Sequence, residues 1–211
     1  MTADQTRIRR LPERAVSDLD TIYEILDEGF ICHVAYLAEA NPVVIPTLYA
    51  RAGNTIILHG STSAGITRAV RRGSPLSIAV TLIDGVVVGR SGFNSSANYR
   101  SVVIHGHGRI LRGQEHIDAL DRVVESLIPG RIKEVRRPTD AEIQQTSTIE
   151  VSLDKVSAKV RTGPPKDDES DMDADVWAGV IPLSLASGEP LPDPHLRNGI
   201  NLPDYLDPYR R

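Results

Sequence analysis

Alternating apolar and polar residues fill most of the first 160 positions and predict β-strands separated by short turns. Three such runs, at 30–37, 43–51 and 55–59, follow one another closely and predict an antiparallel meander. Pro46 lies within the second run and has no backbone N–H to donate. We therefore expect an edge position, or an opening of the hydrogen-bond ladder, at this proline.

Further strands are predicted as a hairpin, a long strand and a final strand, at residues 76–90, 98–111 and 147–160. The hairpin would turn at Asp84-Gly85, because both residue types tolerate the positive φ of tight turns. Gly106 and Gly108 indicate a bulge or a bend in the long strand.

Few helices are predicted, and they are short. Ser17 followed by Asp20 fits a capping box, so the first helix is expected to begin there and to end at Gly29. Thr139 with Glu142 is the same motif before another short helix. The remaining helices are expected at 66–72 and 117–127. Six or seven strands with these helices predict a mainly β, antiparallel barrel.

The composition changes at residue 163. The segment from there onward holds eight of the 14 prolines, an acidic cluster and the single tryptophan, Trp177. We therefore divide the chain into a barrel domain, 1–162, and a proline-rich acidic C-terminal extension, 163–211. Residues 177–183 are too apolar to remain in solvent, and we expect them to cover the barrel or a neighbouring subunit.

The 211 residues carry a net charge of -4, which argues against a nucleic-acid partner. No stretch reaches the roughly 20 apolar residues that a membrane-spanning helix needs, and the start lacks a signal-peptide core, so we expect a cytoplasmic protein without a membrane partner. Cys32 is the single cysteine and is expected to be a buried apolar side chain. Only four of the 24 basic residues are lysines, so an anion site would be built mainly from arginine.

The strongest local signal is the Gly- and Ser-rich segment from Gly60 to Gly65, between the third strand and the second helix. Its glycines allow backbone amides to approach a ligand, its hydroxyls can donate hydrogen bonds, and Arg68 follows one helical turn later. The segment is either a phosphate cradle or a plain turn. It is neither a Walker loop nor a dinucleotide fingerprint, because the glycine spacing and the Lys of those motifs are missing.

Two other groups of residues could carry chemistry. Lys159 and Arg161 share one strand face, where they would either hold an anion or form a solvated edge. His105 and His107 also share a face, a spacing found in metal sites of β-barrels, although such histidines can equally line a polar exterior.

Five motifs follow one another along the chain: Leu11-Pro12-Glu13-Arg14, Val44-Ile45-Pro46-Thr47, Leu58-His59-Gly60-Ser61, Asn98-Tyr99-Arg100-Ser101-Val102 and Ser157-Ala158-Lys159-Val160-Arg161-Thr162-Gly163-Pro164-Pro165. This order resembles the pyridoxamine 5'-phosphate oxidase-related flavin-nucleotide-binding proteins, whose relatives include nitroimidazole-resistance-type reductases. The resemblance extends from about Arg10 to the proline-rich end. It implies an FMN-binding split β-barrel that acts as a homodimer, with the flavin at the subunit interface.

The same resemblance implies which residues contact the flavin. The implied contacts are Pro46 and Thr47 beside the isoalloxazine ring, His59, Gly60 and Ser61 along the flavin, Ser63 and Arg68 near the phosphate, Asn98, Tyr99, Arg100 and Ser101 on the neighbouring strand, Lys159 and Arg161 at the end of the last strand, and Trp177 as a ring wall from the partner chain.

The chain departs from the family in two places. Ala64-Gly65-Ile66 stands where flavin-binding members often carry a pair of cations, which leaves Arg68 as the first cation of that helix. The extension also lacks the Trp-Gln and Arg-Leu-His signatures of true pyridoxamine-phosphate oxidases, so oxidation of vitamin B6 is not expected.

We therefore predict an FMN-dependent oxidoreductase of unknown substrate, in which His59 is the candidate for a chemical role. One alternative is a non-catalytic protein that holds haem or a deazaflavin in the same groove. Another is a metal-dependent barrel enzyme that uses His105 and His107.

Overall fold

The computed structural model describes residues 6–206 and 209, and within them it contains ten β-strands and four α-helices. The strands are β1 (Ala15–Val16), β2 (Ile31–Ala38), β3 (Asn41–Ala52), β4 (Thr55–Ser61), β5 (Pro75–Val88), β6 (Ser96–His107), β7 (Arg109–Ile110), β8 (Thr146–Ser152), β9 (Val156–Arg161) and β10 (Gly179–Pro182). The helices are α1 (Leu19–Glu28), α2 (Gly65–Arg71), α3 (Gly113–Leu127) and α4 (Asp140–Gln145).

The strands pair antiparallel in the order β1-β9-β6-β5-β2-β3-β4-β8-β7, and β10 pairs with β5. Because β7 continues β6 and pairs with β8, the sheet closes into a barrel of six main strands: β2, β3, β4, β5, β6 and β8. The predicted mainly β, antiparallel barrel is confirmed. Strand β9 pairs with β6 on the edge opposite β5, and β1 pairs with β9.

The barrel closes at Gly108, between β6 and β7. A Cβ atom added to Gly108 would lie 2.6 Å from Ile149 and 2.9 Å from Val70, so the backbone approaches β8 and α2 too closely for a larger residue. The bend predicted from the two glycines of this strand is therefore present at Gly108.

Helix α1 contributes to the barrel core through Ile22, Ile25 and Leu26, all of which are buried. The helix ends at Gly29, as predicted. The predicted capping by Ser17 is wrong, because Asp18 is the N-cap and its carboxylate accepts the backbone N–H of Thr21 at 2.9 Å. Asp is as good a capping residue as Ser, and the sequence placed both at adjacent positions.

The predicted hairpin at 76–90 is also wrong. Strand β5 runs through Asp84 without turning and pairs with β6 along nearly its whole length. The register shifts between Ile83 and Gly85, so the turn-forming residues make a β-bulge here.

Residues 147–160 form two strands instead of the predicted single one. Strand β8 pairs with β4, whereas β9 pairs with β6. The turn between them is fixed because the buried Leu153 donates its backbone N–H to the carbonyl of Asn54 at 3.0 Å.

The meander predicted from the first three runs is confirmed by the antiparallel pairs β2–β3 and β3–β4. Pro46 pairs with His33 of β2, but β4 pairs with β3 only at 49–52. Pro46 therefore lies where the second ladder is open, as expected for a residue without an N–H.

Helix α3 packs on the outside of the barrel. A second apolar cluster joins it to β3 and β4, and its buried members are Ala50, Ile57, Leu111, Ala119 and Val123. The predicted capping box of α4 is present, with Thr139 and Glu142 each accepting the other's backbone N–H.

The C-terminal extension lies against the barrel of its own chain. Asn98 donates to the carbonyl of Gly163 at 3.1 Å, and the carboxylate of Asp167, which is 1% exposed, accepts from the backbone and side chain of Arg90. Strand β10 then pairs with β5. Within residues 6–206 and 209, no helix has both the length and the apolar character needed to cross a membrane.

Replacing Gly108 by alanine tests the closure of the barrel. We expect Gly108→Ala to lower the free energy of unfolding by about 1–3 kcal/mol, because the added methyl overpacks the contact with Ile149 and Val70. Urea unfolding followed by circular dichroism measures the change. Gly92→Ala is the matched control, since a Cβ at Gly92 meets nothing within 4 Å. Equal stabilities of the two variants would contradict the tight approach.

Candidate cofactor site

The Gly- and Ser-rich segment forms an ordered loop between β4 and α2, and we call residues 60–68 the cradle. The hydroxyls of Ser61 and Ser63 lie 2.9 Å apart, and the backbone N–H of Ala64 donates to the carbonyl of Ser61 at 3.0 Å. The hydroxyl of Thr67 donates to the same carbonyl. The loop is therefore held by its own polar groups, with both serine side chains exposed at its surface.

The exposed guanidinium of Arg68 folds back over the cradle and donates to the carbonyl of Ser63. The cradle also packs on β2, since a Cβ added to Gly65 would lie 2.5 Å from the hydroxyl of Tyr36. Two hydroxyls and one cation thus converge at one exposed place. This donor set suits the oxygens of a phosphate group.

His59 is the last residue before the cradle. Its side chain lines a cavity of about 480 Å³ outside the barrel wall, beneath α3. Most of the other walls are apolar and come from α3 and the segment that follows it: Leu120, Val123, Val124, Ile132, Val135 and Pro138. Arg136 and Glu142 also line the cavity, and they bind each other at 2.6 Å.

The imidazole of His59 lacks a hydrogen-bond partner on one side. Its Nδ1 is buried and makes no hydrogen bond with the described residues. Desolvation lowers the pKa of His59 below the ordinary value for histidine, so the ring is neutral at pH 7. Buried polar atoms are almost always paired, so this nitrogen calls for an explanation.

His116 shows what a structural histidine looks like in this protein. It is buried beside β8, its Nδ1 bonds to the hydroxyl of Thr148 at 2.7 Å, and its Nε2 bonds to the carbonyl of Ile143 at 3.2 Å. Both nitrogens of His116 are satisfied by the fold. His59 differs from it in having an unpaired nitrogen and an open cavity.

The other predicted flavin contacts lie at the far end of β5 and β6. The guanidinium of Arg100 donates to the carboxylates of both Glu28 and Asp84, and Nη2 bonds to each of them at 2.7 Å. These hydrogen bonds raise the pKa of Arg100 further above its ordinary value. In this chain the charge of Arg100 is already balanced by two acids.

Asn98 and Lys159 also have partners within the chain. Asn98 accepts from Arg161 and donates to Gly163, and the ammonium of Lys159 donates to the carbonyl of Arg10 at 2.9 Å. These contacts hold the start of the C-terminal extension and the N-terminal segment on the barrel.

Arg161 is 6% exposed, and its Nε has no partner among the described residues. Burial, with Arg14 nearby, lowers the pKa of its guanidinium. No carboxylate within the described part of the chain forms an ion pair with Arg161.

The remaining predicted contacts are dispersed. Pro46 is exposed on the outer face of β3, while the hydroxyl of Thr47 donates to the carbonyl of Leu48. Ser101 makes a long bond of 3.4 Å to the carbonyl of Lys159, and Tyr99 pairs with Arg161 across the sheet. Trp177 is 65% exposed beside β10.

One chain does not bring the two groups of predicted contacts together. Tyr36 touches the cradle at Gly65, and its neighbour in sequence, Ala35, pairs with Ser77 of β5. Ser77 therefore marks a point of β5 that lies near the cradle. Asn98 pairs with Gly85, eight residues further along the same strand. At about 3.3 Å per residue, Asn98 lies roughly 25 Å along β5 from Ser77, and Ser101, which pairs with Thr81, lies roughly 13 Å from it.

The metal alternative has no support in the structure. Among residues 6–206 and 209, no three His, Cys, Asp or Glu side chains are grouped so that they could hold a metal ion. His105 instead bonds through Nδ1 to the hydroxyl of Ser77 at 2.8 Å.

Sequence reasoning identified His59 but missed the cavity beside it. The sequence predicts a helix at 117–127, and no local pattern marks Ile132, Val135 and Pro138 as walls of the same cavity. A helix with apolar residues at adjacent positions, such as Val123 and Val124, has a wider apolar stripe than it needs to pack against a single sheet. That width is the signal that could have indicated a second apolar surface.

The fold and the cradle place the chain among split-barrel flavin-nucleotide proteins, and comparisons with known proteins agree. A family model described as pyridoxamine 5'-phosphate oxidase matches residues 18–160. The chain belongs to this family, whose flavin-binding split barrel the sequence resemblance had predicted. A comparison with curated proteins finds no match.

Solved structures include similar chains. A flavocytochrome from Azotobacter vinelandii is 33% identical with a TM-score of 0.93, and the match covers 99% of this chain and 97% of that one. A protein from Mycobacterium smegmatis described as binding FAD and haem is 33% identical with a TM-score of 0.88, over 92% and 96% of the two chains. A candidate 5-nitroimidazole resistance protein from Bacteroides thetaiotaomicron, 21% identical, shares the fold with a TM-score of 0.59 over 69% and 86%.

The neutral state of His59 predicts a sensitivity to acid. Because the pKa of His59 is lowered in the folded chain, the unfolded chain takes up a proton first as the pH falls below about 6.5. We expect the free energy of unfolding to decrease below that pH, and His59→Leu to remove this part of the decrease. Urea unfolding between pH 7.5 and 5 measures it.

His195→Leu, in the exposed extension, is the control and should keep the pH dependence of the original chain. Superimposable pH profiles for His59→Leu and the original chain would show that burial does not control the charge of His59.

Proposed function

We propose that this protein is an electron-transfer oxidoreductase that binds a flavin and a haem, with the flavin at the interface of a homodimer. The observation that carries the proposal is the neutral imidazole of His59 in the wall of an apolar cavity. The predicted alternative of a haem-binding protein on the same barrel becomes part of this function, because haem and flavin would occupy different places.

The cavity beside His59 fits a haem in three respects. Haem iron is commonly held by a neutral imidazole, and burial lowers the pKa of His59 so that its ring is neutral. The macrocycle is a large apolar disc, and most of the cavity walls are aliphatic. The volume of about 480 Å³ lies within the range of roughly 300–1,000 Å³ for cofactor pockets.

The cradle fits the phosphate next to the ribityl chain, which FMN and FAD share. Ser61, Ser63 and Arg68 present two hydroxyls and one guanidinium at its surface. The sequence predicts FMN, whereas the relative from Mycobacterium smegmatis is described as binding FAD and haem. The relative from Azotobacter vinelandii is described as a flavocytochrome. These two descriptions support a flavin together with a haem, and we propose FAD as the flavin.

The chemistry of such a protein would come from its cofactors: a bound flavin exchanges hydride or single electrons, and haem iron exchanges one electron at a time. The chain contributes placement and environment. His59 precedes the cradle directly in sequence, so one short segment would position both groups. The aliphatic walls of α3 would exclude water from the haem, and Arg68 would balance the charge of the flavin phosphate.

A homodimer would explain the exposed apolar face of the barrel. Ile31 and Leu37 of β2 and Val44 of β3 are 43%, 46% and 62% exposed. These strands are neighbours, and Val44 pairs with Ala35, so the residues form one patch beside Pro46. Patches of this kind mark protein interfaces. A partner related by two-fold symmetry would also bring its Asn98–Ser101 strand to the cradle of the first chain, which one chain alone cannot do.

Two variants test the cofactor proposal by opposite losses. We expect the purified protein to show flavin bands and a Soret band, and the released flavin to be FAD by chromatography. His59→Ala should lose the Soret band and keep the flavin. Arg68→Ala should weaken flavin retention about tenfold and keep the haem, since it removes a charge-assisted contact.

His195→Ala, which changes a histidine in the exposed extension, should keep both cofactors. If the released flavin is FMN, the proposal of FAD is wrong and the prediction from the sequence is correct. A deazaflavin spectrum would show that the bound cofactor is neither FAD nor FMN. A haem that survives His59→Ala, or a protein that takes up no haem, would remove the haem site from the proposal.

The dimer is tested by a charge on the apolar face. Val44→Glu should shift the protein from dimer to monomer in sedimentation velocity, because a buried carboxylate without a partner opposes association. Val176→Glu changes a similarly exposed valine of the extension and should leave the dimer intact. A monomeric original chain, or a dimeric Val44→Glu, would place the interface elsewhere.

A further inference from the structure

A second cavity, of about 290 Å³, lies at the end of β5 and β6 where they meet β2. Its polar side chains include Ser77, His105, His107 and Lys155. The proposed cofactor sites use none of these residues. The cavity is therefore a feature of the fold that the proposed function leaves unexplained.

The orientation of His105 is set by its neighbour across the sheet. Ser77 pairs with His105, and its hydroxyl lies 2.8 Å from Nδ1. A serine hydroxyl can donate to a neutral imidazole or accept from a protonated one. With Ser77 donating to Nδ1, Nε2 carries a proton, and in the imidazolium both nitrogens do. In that tautomer Nε2 can donate to an anion, whereas in the other neutral tautomer Nδ1 donates to Ser77 and Nε2 is an acceptor.

Lys155 is held beside His105 by the backbone. The N–H of His105 donates to the carbonyl of Lys155 at 2.9 Å, which places the turn between β8 and β9 at the cavity. The carboxylate of Asp154, the preceding residue, accepts from the side-chain amide of Asn54 at 3.1 Å and is not among the residues that line the cavity.

Lys155 supplies the positive charge at this cavity, and none of the residues that line the cavity is Asp or Glu. β6 contributes the two histidines, while β2, β3 and β5 add the Tyr36 phenol, the Ser77 hydroxyl and apolar residues. A cation with no carboxylate in the wall of its cavity is stabilised by an anion bound there. The imidazoles of His105 and His107 can donate hydrogen bonds to the same anion.

We propose that this cavity binds the phosphate or sulfate group of a small molecule, separately from the flavin and the haem. The anionic oxygens would bond to Nε2 of His105, to His107 and to the ammonium of Lys155. The cavity is larger than a phosphate group, so the organic part of the molecule would lie on Pro42 and Pro75.

Inorganic sulfate is the probe, because its charge stays constant between pH 6 and pH 8. Titration calorimetry of the purified protein with sodium sulfate, at constant ionic strength maintained with sodium chloride, should show saturable binding.

Lys155→Gln should weaken sulfate binding about tenfold because it removes a positive charge, and His105→Gln should weaken it because it removes the imidazole donor. Lys155 is exposed, so its replacement leaves the fold intact even if His105→Gln unfolds. Lys166→Gln, in the C-terminal extension, is the matched control and should bind sulfate like the original chain.

Three results would overturn the proposal: no saturable binding of sulfate, unchanged affinity in Lys155→Gln, or complete competition by FAD. The last result is a real test because Tyr36 both touches the cradle and lines this cavity. Competition by FAD would assign the cavity to the flavin. If no sulfate bound, the anion site would be rejected, and the proposal for flavin and haem would be unaffected.

Discussion

The closure of the barrel depends on how closely β6 and β7 approach β8. Gly108 leaves just enough room for the backbone to pass Ile149 and Val70, and two residues of β7 then pair with β8. This contact turns an open sheet into a barrel with α1 against its core. It also sets the position of β4, which pairs with β8 on the other side and carries His59 and the start of the cradle. The position of the candidate site therefore depends on the contact of Gly108 with Ile149 and Val70, although none of these three residues is assigned to the site.

Much of the fold could be predicted from local patterns. The meander, the end of α1 at Gly29 and the capping box of α4 each depend on residues close in sequence, and the structure confirms them. The errors arose where one pattern serves two structures. Asp84-Gly85 suits a tight turn and a bulge equally well, and the choice between them was made by the pairing of β5 with β6. Likewise, the alternation from 147 to 160 continues through the turn that separates β8 from β9.

The candidate site was harder to predict, because charge balance is a tertiary property. Arg100 has the residue type expected of a phosphate ligand, yet Glu28, 72 residues away, supplies a carboxylate to it. No local pattern shows such a partner. The cavity beside His59 is similar, since α3 and the residues after it must fold over β4 before the imidazole has apolar surroundings. Sequence alone identified the residue types, and the fold decided which of them are already neutralised.

The pairing of β10 with β5 has a consequence for how the chain behaves in solution. Residues 85–88 of β5 extend beyond the short pairing with β2 at 77–79, and without the extension their backbone would form an open sheet edge. Open edges invite strands from other molecules and are a route to aggregation. Strand β10 occupies this edge, and the segment that leads to it is anchored by the ion pair between Asp167 and Arg90. The proline-rich extension thus acts as a built-in edge protector that keeps the barrel from pairing with unrelated chains.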